Sequence, residues 1–117
     1  MIDPRHQQRI ITIQNLYAAS FYDRPVTLPH QTDRLTVKVG TKTKAIDQLI
    51  NRYAPRFPIA KIAKIDLAIL RLAIYELKFN RGTPKKVVIN EAVELAKELG
   101  GERSYKFVNG VLAKIIQ

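Results

Sequence analysis

The segment from Lys85 to Ile115, KKVVINEAVELAKELGGERSYKFVNGVLAKI, carries apolar residues at the spacing of two successive helices. The first stripe lies before Gly100-Gly101 and the second lies after it: Ile89, Ala92, Val93, Ala96 and Leu99, then Val108, Val111, Leu112 and Ile115. Because an α-helix returns to one face every 3.6 residues, each stripe would lie on one side of a helix. Two such amphipathic helices must bury their stripes against further elements, which favours a helical bundle.

Three further helices are predicted upstream of this pair. Asp3 followed by proline is typical of an N-cap and a first helical position, so we predict a first helix from Pro4 to Tyr22. Apolar spacing predicts a second helix over Thr43–Ala54 and a third over Ile59–Phe79. The third has apolar residues on almost every face, which is typical of a helix at the centre of a bundle.

The starts of the last two helices are predicted from capping residues. Thr83-Pro84 repeats the cap-and-proline pattern, and Ser104 would cap the final helix. The sequence therefore predicts five helices, no convincing strand, and an all-α bundle. A chain of 117 residues fits a single domain, residues 1–117.

The segment from Asp23 to Lys42 has no convincing helical period. It contains Pro25, Pro29 and Gly40, and a weak alternation of apolar residues gives the only strand signal: Leu35, Val37 and Val39. A structureless stretch of this length is unusual in a compact domain. The structure of this segment is left open.

The charge of the chain points to a polyanionic partner. Twenty Lys and Arg residues against ten Asp and Glu residues give a net charge of +10, and a basic domain of this size favours nucleic acid. The alternative is that the charge only aids solubility. The absence of cysteine, of an apolar signal-peptide core and of an uninterrupted apolar span predicts a cytoplasmic protein.

No group of residues is arranged for catalysis. His6 and His30 stand in no metal-ligand spacing, and Glu91, Glu94 and Glu98 share a helix face without a matching Glu-x-x-His helix. Gly100-Gly101 follows a helix and fits a C-cap better than a phosphate loop. We therefore expect a binding protein, with no enzymatic activity, metal or cofactor.

Three places offer cations and rings to RNA. Arg5 and Arg9 lie one helical turn apart, although they could form an ordinary solvated face. The segment Tyr105-Lys106-Phe107 would begin the last helix, where free N–H groups favour phosphate, although Phe107 could belong to the core. Tyr53, between Arg52 and Arg56, is a weaker third candidate.

Several polar residues fall inside the predicted helices. Arg71 lies in the predicted central helix, where its charge needs a partner that the sequence does not identify. Asn90, Asn109 and Gly110 are poor helix formers at mid-helix positions. They indicate either close contact between helices or a polar surface retained for a partner.

Three motifs resemble the NusB family of bacterial transcription antitermination factors. They are IDLAILRLAIYEL, KVVINEAVELAKELG and KFVNGVLAKI, and they occur in the family's order and separations. Arg9 followed by QNLY is similar to the family's first helix, and IDQLI near Ile46 is similar to its third. The resemblance covers most of Ile59–Ile116.

This resemblance implies an all-α fold of two small helical subdomains. It also implies binding of boxA-type RNA from ribosomal RNA leaders, together with the small-subunit ribosomal protein that acts as Nus factor E, in an antitermination complex with RNA polymerase. The residues carried over are Arg5, Arg9, Tyr17, Tyr53, Lys106 and Phe107 for RNA, and Asp66 for the protein partner. Whether the free protein is a monomer or a homodimer stays open.

Departures from the family pattern leave an alternative open. Asp23–Lys42 is shorter than the corresponding family region, so a shortened second and third helix are expected. The arginine cluster at the start is thin, and Arg103 stands where an acidic residue is frequent. The alternative function is a non-catalytic adaptor or chaperone for the ribosomal protein that binds RNA without sequence preference.

Overall fold

The computed structural model describes residues 3–117, which form six α-helices and one short 3-10 helix. The elements, in chain order, are α1 (Pro4–Ala19), α2 (Arg34–Thr41), α3 (Thr43–Tyr53), a 3-10 helix (Ile59–Lys61), α4 (Lys64–Lys78), α5 (Lys85–Leu99) and α6 (Glu102–Ile115). The described residues contain no strand, which agrees with the predicted all-α class. None of the helices found in this range is long and apolar enough to cross a membrane.

Helix α4 forms the centre of the bundle, as its apolar sequence predicts. It contacts α1, α2, α3, α5 and α6, and it is buried on nearly every face. The fully buried side chains include Ile69, Leu70 and Ile74 of α4, which pack with Ile13, Ile46 and Leu112 from other helices. The hydrophobic effect of this shared core holds the six helices together.

The main difference from the sequence prediction is α2, which forms inside the segment left open. Asp33 caps this helix by accepting hydrogen bonds from the Thr36 N–H at 3.1 Å and the Thr36 hydroxyl at 2.6 Å. Val39 is fully buried, whereas Val37 is 67% exposed. The alternation of Leu35, Val37 and Val39 is therefore helical, because positions 35 and 39 share the inner face.

The loop before α2 is held to α1 by one asparagine. The Asn15 side chain donates to the His30 carbonyl and to the Thr36 hydroxyl, each at 2.9 Å, and accepts from the His30 N–H at 2.9 Å. Asn15 is fully buried, and its amide satisfies polar groups of the loop that would otherwise be costly to bury. This anchor gives the segment a fixed path without a helical period.

Apart from single-residue differences at the ends of α3 and α4, four boundaries also differ from the prediction. Helix α1 ends at Ala19 rather than Tyr22. The predicted helix over Ile59–Phe79 is interrupted, since Ile62 and Ala63 are extended and α4 starts only at Lys64. Pro84, rather than Thr83, occupies the N-cap position of α5.

The fourth difference is the start of α6, where Gly101 is the N-cap and Ser104 is the third helical residue. Gly101 has φ of 114°, a conformation that L side chains rarely adopt. Gly100 accommodates the buried Ser104 side chain, which would collide with a Cβ at position 100. The predicted C-cap at Gly100-Gly101 is confirmed, because both N–H groups donate to the Ala96 carbonyl, at 2.9 and 2.8 Å.

The unnamed partner of Arg71 is Asp47 of α3. The guanidinium donates from Nε to Oδ1 at 3.0 Å and from a terminal nitrogen to Oδ2 at 2.8 Å. This two-point pair joins α3 to α4 and satisfies a charge that is mostly shielded from water. Sequence spacing within α4 could not identify it, because the partner lies 24 residues earlier in the chain.

Candidate nucleic-acid interface

A groove between the end of α3 and α6 brings three predicted RNA-binding residues together. This α3–α6 groove has a volume of about 440 Å³ and is lined by Tyr53, Ala54, Pro55, Arg56, Phe57, Lys106, Phe107, Gly110, Val111 and Lys114. Tyr53, Lys106 and Phe107 come from two distant parts of the sequence. The fold therefore unites two sites that the sequence presents separately.

Three aromatic rings line the α3–α6 groove. Phe57 and Phe107 meet edge to face, with centroids 5.0 Å apart and planes inclined by 68°. Phe57 is 48% exposed, whereas Phe107 and Tyr53 are half-buried and pack against the core. Exposed ring faces beside a fixed aromatic floor can stack with unpaired bases.

Cations surround these rings. Arg56, Lys106 and Lys114 line the groove, and the Arg52 guanidinium lies 5.5 Å from the Tyr53 ring centroid. Among the described residues that line the groove, none carries a carboxylate. An apolar floor with a cationic border can hold a base and the adjoining phosphates at the same time.

Lys106 and Phe107 lie beyond the first turn of α6 rather than at its start, contrary to the sequence prediction. The N–H of Tyr105 already donates to the Gly101 carbonyl at 3.2 Å, so both residues follow the first turn. The free N–H groups of the helix start belong to earlier residues. Lys106 instead forms an exposed ion pair with Glu102, with 3.1 Å between Nζ and Oε1.

Arg5 and Arg9 differ sharply in their surroundings. Arg5 is exposed, whereas Arg9 is only 6% exposed and donates from two nitrogens to Glu76 of α4, at 3.0 and 2.8 Å. The hydrogen bond with Glu76 raises the pKa of Arg9 despite the opposing effect of burial. The two arginines therefore do not form one solvated face, and the Arg9 charge is already neutralised within the fold.

A second polar cluster extends this ion pair toward α5. The His6 Nδ1 lies 2.9 Å from Glu91 Oε2, and Arg9 lies 4.0 Å from the same carboxylate oxygen. The hydrogen bond with Glu91 raises the pKa of His6, burial opposes it, and Glu98 adds to the increase. His6 and Glu91, considered above for catalysis, thus link α1 with α5.

Tyr17 and Asp66 lie outside the α3–α6 groove. Tyr17 is 40% exposed and meets Phe21 edge to face with centroids 4.9 Å apart; both line a separate apolar depression with Lys64 and Leu99. Asp66 is buried in the first turn of α4, and within residues 3–117 its Oδ1 has no hydrogen-bond partner.

The mid-helix polar residues mark a surface. Asn90, Lys106, Asn109 and Gly110 are exposed, and only Glu91 lies partly inside. A Cβ at Gly110 would meet no atom within 4 Å. Close helix contact therefore does not explain Gly110, which instead lines the groove.

Two groove residues were missed by the sequence reasoning. Phe57 lies in the irregular turn after Pro55, where no period assigns it a face. Lys114 could have been found, because it lies seven residues after Phe107 and thus on the same side of α6. Among residues 3–117, no group of three His, Asp or Glu side chains could hold a metal ion.

Comparisons with known proteins agree with this architecture. The sequence model of the protein family described as NusB family matches residues 6–117 of this chain. A transcription antitermination protein NusB from Shewanella amazonensis is 49% identical over 77 residues, which are 66% of this chain and 57% of the relative. Its counterpart from Lachnoclostridium phytofermentans is 43% identical over 75% of this chain and 69% of the relative. The matched part thus spans between half and about two thirds of these curated relatives.

Solved structures match over nearly the whole chain. T. maritima NusB has a TM-score of 0.83 and 32% identity, and the match covers 98% of this chain and 92% of that one. The expected shortening is thus slight relative to this structure. A chain from a crystal structure of antitermination factors NusB and NusE in complex with dsRNA has a TM-score of 0.79, with 97% of both chains covered. Its 21% identity supports the likeness of fold alone.

Proposed function

Because this chain belongs to the NusB family, we propose that it is an RNA-binding transcription antitermination factor. Its RNA would be boxA-type sequence in ribosomal RNA leader transcripts. Its protein partner would be the small-subunit ribosomal protein that acts as Nus factor E, within an RNA polymerase complex that reads through terminators. The observation that carries this proposal is the α3–α6 groove, with its aromatic floor and cationic border.

Each groove residue has a separate proposed role. Phe107 and Phe57 would stack with splayed bases, and Tyr53 would support the floor beside them. Lys106 would neutralise a phosphate, for which it must leave Glu102, a cheap step because both partners are largely exposed. The protein would act as a binder without catalysis, as one domain, in the cytoplasm.

The residues carried over outside the groove receive different roles. Arg5 is exposed and would contact phosphate directly, and Tyr17 would offer a ring at the other end of α1. Arg9, bound to Glu76, would position α1 rather than touch RNA. Asp66 is assigned to the protein partner by the family resemblance alone, and because its side chain is buried it would act by shaping the start of α4 rather than by direct contact.

The second candidate function is an adaptor for the ribosomal protein with only non-specific RNA binding. It is supported by the burial of Arg9 in its ion pair with Glu76, which would leave fewer side chains to read or hold the RNA. Phosphate contacts alone would position RNA without selecting its sequence. Under this function the groove would contribute affinity but no preference for boxA.

Fluorescence anisotropy separates the two functions. A short boxA-type RNA and its scrambled version are titrated at two salt concentrations, with and without the ribosomal protein. We expect a preference for boxA that increases when the ribosomal protein is added, with a log–log salt slope of about −3 to −4 for four to six phosphate contacts. Equal, salt-sensitive binding of both RNAs would favour the adaptor, and no RNA binding would reject both.

A further inference from the structure

Three shallow depressions adjoin one another on a surface that shares no residue with the α3–α6 groove. They lie beside the start of α2, at the start of α1 and at the turn between α4 and α5, with volumes of about 450, 280 and 280 Å³. Gln8 and Leu35 line both the first and the second, and Thr83 lines both the second and the third. The depressions therefore form one continuous trough.

The trough is lined by cations from four helices and one turn. We call it the basic trough, and its cations, apart from Arg9, which is paired with Glu76, are Arg34, Lys38, Arg5, Lys78, Arg81 and Lys85. Within residues 3–117, none of these six side chains takes part in an ion pair. Arg34 and Lys38 are there because α2 is a helix, in which residues four apart lie on one side.

The carboxylates that line the trough are already engaged inside the fold. Asp33 accepts hydrogen bonds from Thr12 at 2.7 Å and from Thr36 at 2.6 Å. Glu76 is held at two points by Arg9, whose charge offsets its own. The hydrogen bonds leave the negative charge of Asp33 in place, so the field over the trough is that of six unpaired cations against one carboxylate, and it favours a bound anion.

The chemistry of the lining identifies the occupant. Among the described residues that line the basic trough there is no aromatic ring, unlike the α3–α6 groove, so the trough offers nothing for bases to stack on and no aromatic anchor for a protein partner. Cations spread along a continuous depression suit a ligand whose negative charges repeat along its length. A phosphodiester chain has this property.

We propose that the basic trough binds the phosphodiester backbone of single-stranded RNA that extends beyond the α3–α6 groove. This inference rests on the proposed RNA-binding function and extends it to α2 and the α4–α5 turn. The contact depends on charge and is independent of base sequence. RNA long enough to reach the trough therefore binds more tightly than RNA that fills only the groove.

The test uses Arg34→Glu combined with Lys85→Glu. Arg34 is the first residue of α2 and Lys85 is the first residue of α5, so a glutamate at either position suits the positive end of its helix. A loss of RNA binding thus cannot be explained by unfolding, and thermal denaturation verifies this. The control is Lys44→Glu combined with Lys61→Glu, which makes the same charge change at exposed residues that line neither trough nor groove.

Anisotropy is measured with an RNA of about five nucleotides and with one of about sixteen that contains it. We expect the trough variant to bind the long RNA about tenfold or more weakly, with a salt slope reduced by about 1.4 for two lost phosphate contacts. Its affinity for the short RNA should change no more than that of the control. If the trough and control variants lose equal affinity for the long RNA, the proposal that the trough binds RNA is wrong, although the groove can still be the RNA-binding site.

Three other outcomes would also be decisive. If wild-type protein binds the long and short RNAs equally well, the trough holds no RNA, although the proposed function survives. If the trough variant keeps its RNA affinity but loses binding of the ribosomal protein, the trough is a protein-binding surface. Wild-type protein that binds neither RNA would reject the proposed function itself and the trough with it.

Discussion

His6 of α1 and Glu91 of α5 are joined by a contact of 2.9 Å between Nδ1 and Oε2. This contact raises the pKa of His6 above its ordinary value of 6.5. A group whose pKa is higher in the folded state stabilises the fold below its unfolded pKa, and this stability disappears as pH rises through the folded value. Helix α1 is therefore held to α5 more strongly in mildly acidic solution.

The substitution His6→Gln tests this dependence. We expect it to lower the free energy of unfolding by less than about 1 kcal/mol near pH 5.5, because the pair is partly exposed, and to have little effect near pH 8.5. Urea denaturation of both proteins at the two pH values measures the difference. An equal loss at both would show that the contact acts through packing alone.

The Arg9–Glu76 pair gives a larger effect on stability. Arg9→Met should lower the free energy of unfolding by about 3–5 kcal/mol, because it leaves the Glu76 carboxylate buried without its partner. Arg9→Met combined with Glu76→Leu should recover most of that loss. Urea denaturation gives these values, and RNA anisotropy on the double variant tests whether Arg9 only positions α1. A tenfold loss of RNA affinity in a stable double variant would restore Arg9 as an RNA contact.

Phe57 is the sharpest probe of the α3–α6 groove. Phe57→Ala removes a ring that is 48% exposed, and it should weaken RNA binding by about 1–3 kcal/mol, as expected for one lost base stack. Phe79→Ala is the matched control, since Phe79 is 38% exposed and does not line the groove. If the two variants lose RNA affinity equally, the groove is not the base-binding site.

Lys106 and Glu102 provide a pair of opposite charge changes. Lys106→Glu should weaken binding of every RNA sequence about tenfold, with little change in stability, because the residue is exposed. Glu102→Gln frees the ammonium and should strengthen binding about two- to threefold at low salt. Anisotropy with boxA-type and scrambled RNA measures both effects. If neither substitution changes the affinity, Lys106 has no role in phosphate contact.

Gly110 separates stability from binding. Gly110→Ala should stabilise the protein by up to about 1 kcal/mol, since alanine favours the helix and its Cβ meets no atom within 4 Å. The same methyl group enters the α3–α6 groove and should weaken RNA binding about threefold or more. Thermal denaturation and anisotropy on one preparation compare the two effects. A variant that is more stable and binds RNA normally would show that bases do not approach this wall.

The sequence predicts the bundle well because its helices bury whole stripes of apolar residues. α5 and α6 follow directly from such stripes and from the Gly100-Gly101 stop, and α4 follows from apolar residues on almost every face. Helix α2 is not predicted in this way, because it has only eight residues and buries only Thr36 and Val39. Two buried positions are too few to give a recognisable helical repeat of apolar residues. Its strongest signal is Asp33, whose capping role becomes evident only when the Thr36 contacts are known.

The candidate site is predictable in parts. Lys106, Phe107 and Tyr53 were identified separately, but their meeting depends on how α3 packs against α6, which local patterns do not encode. For Arg9 the sequence suggests the wrong environment, because its spacing from Arg5 is typical of a surface residue. Only the distant Glu76, 67 positions later, draws it inside.

The single joint between α5 and α6 has a consequence for how the groove can vary. Gly100 closes one helix and Gly101 opens the next, so no spare residue separates them. One inserted residue at this joint would turn α6 by about 100° relative to α5 if both helices kept their form. Phe107 would then leave the floor, although its identity and its helix were unchanged. The position of Phe107 in the α3–α6 groove therefore depends on the length of this joint as well as on the side chains that line the groove.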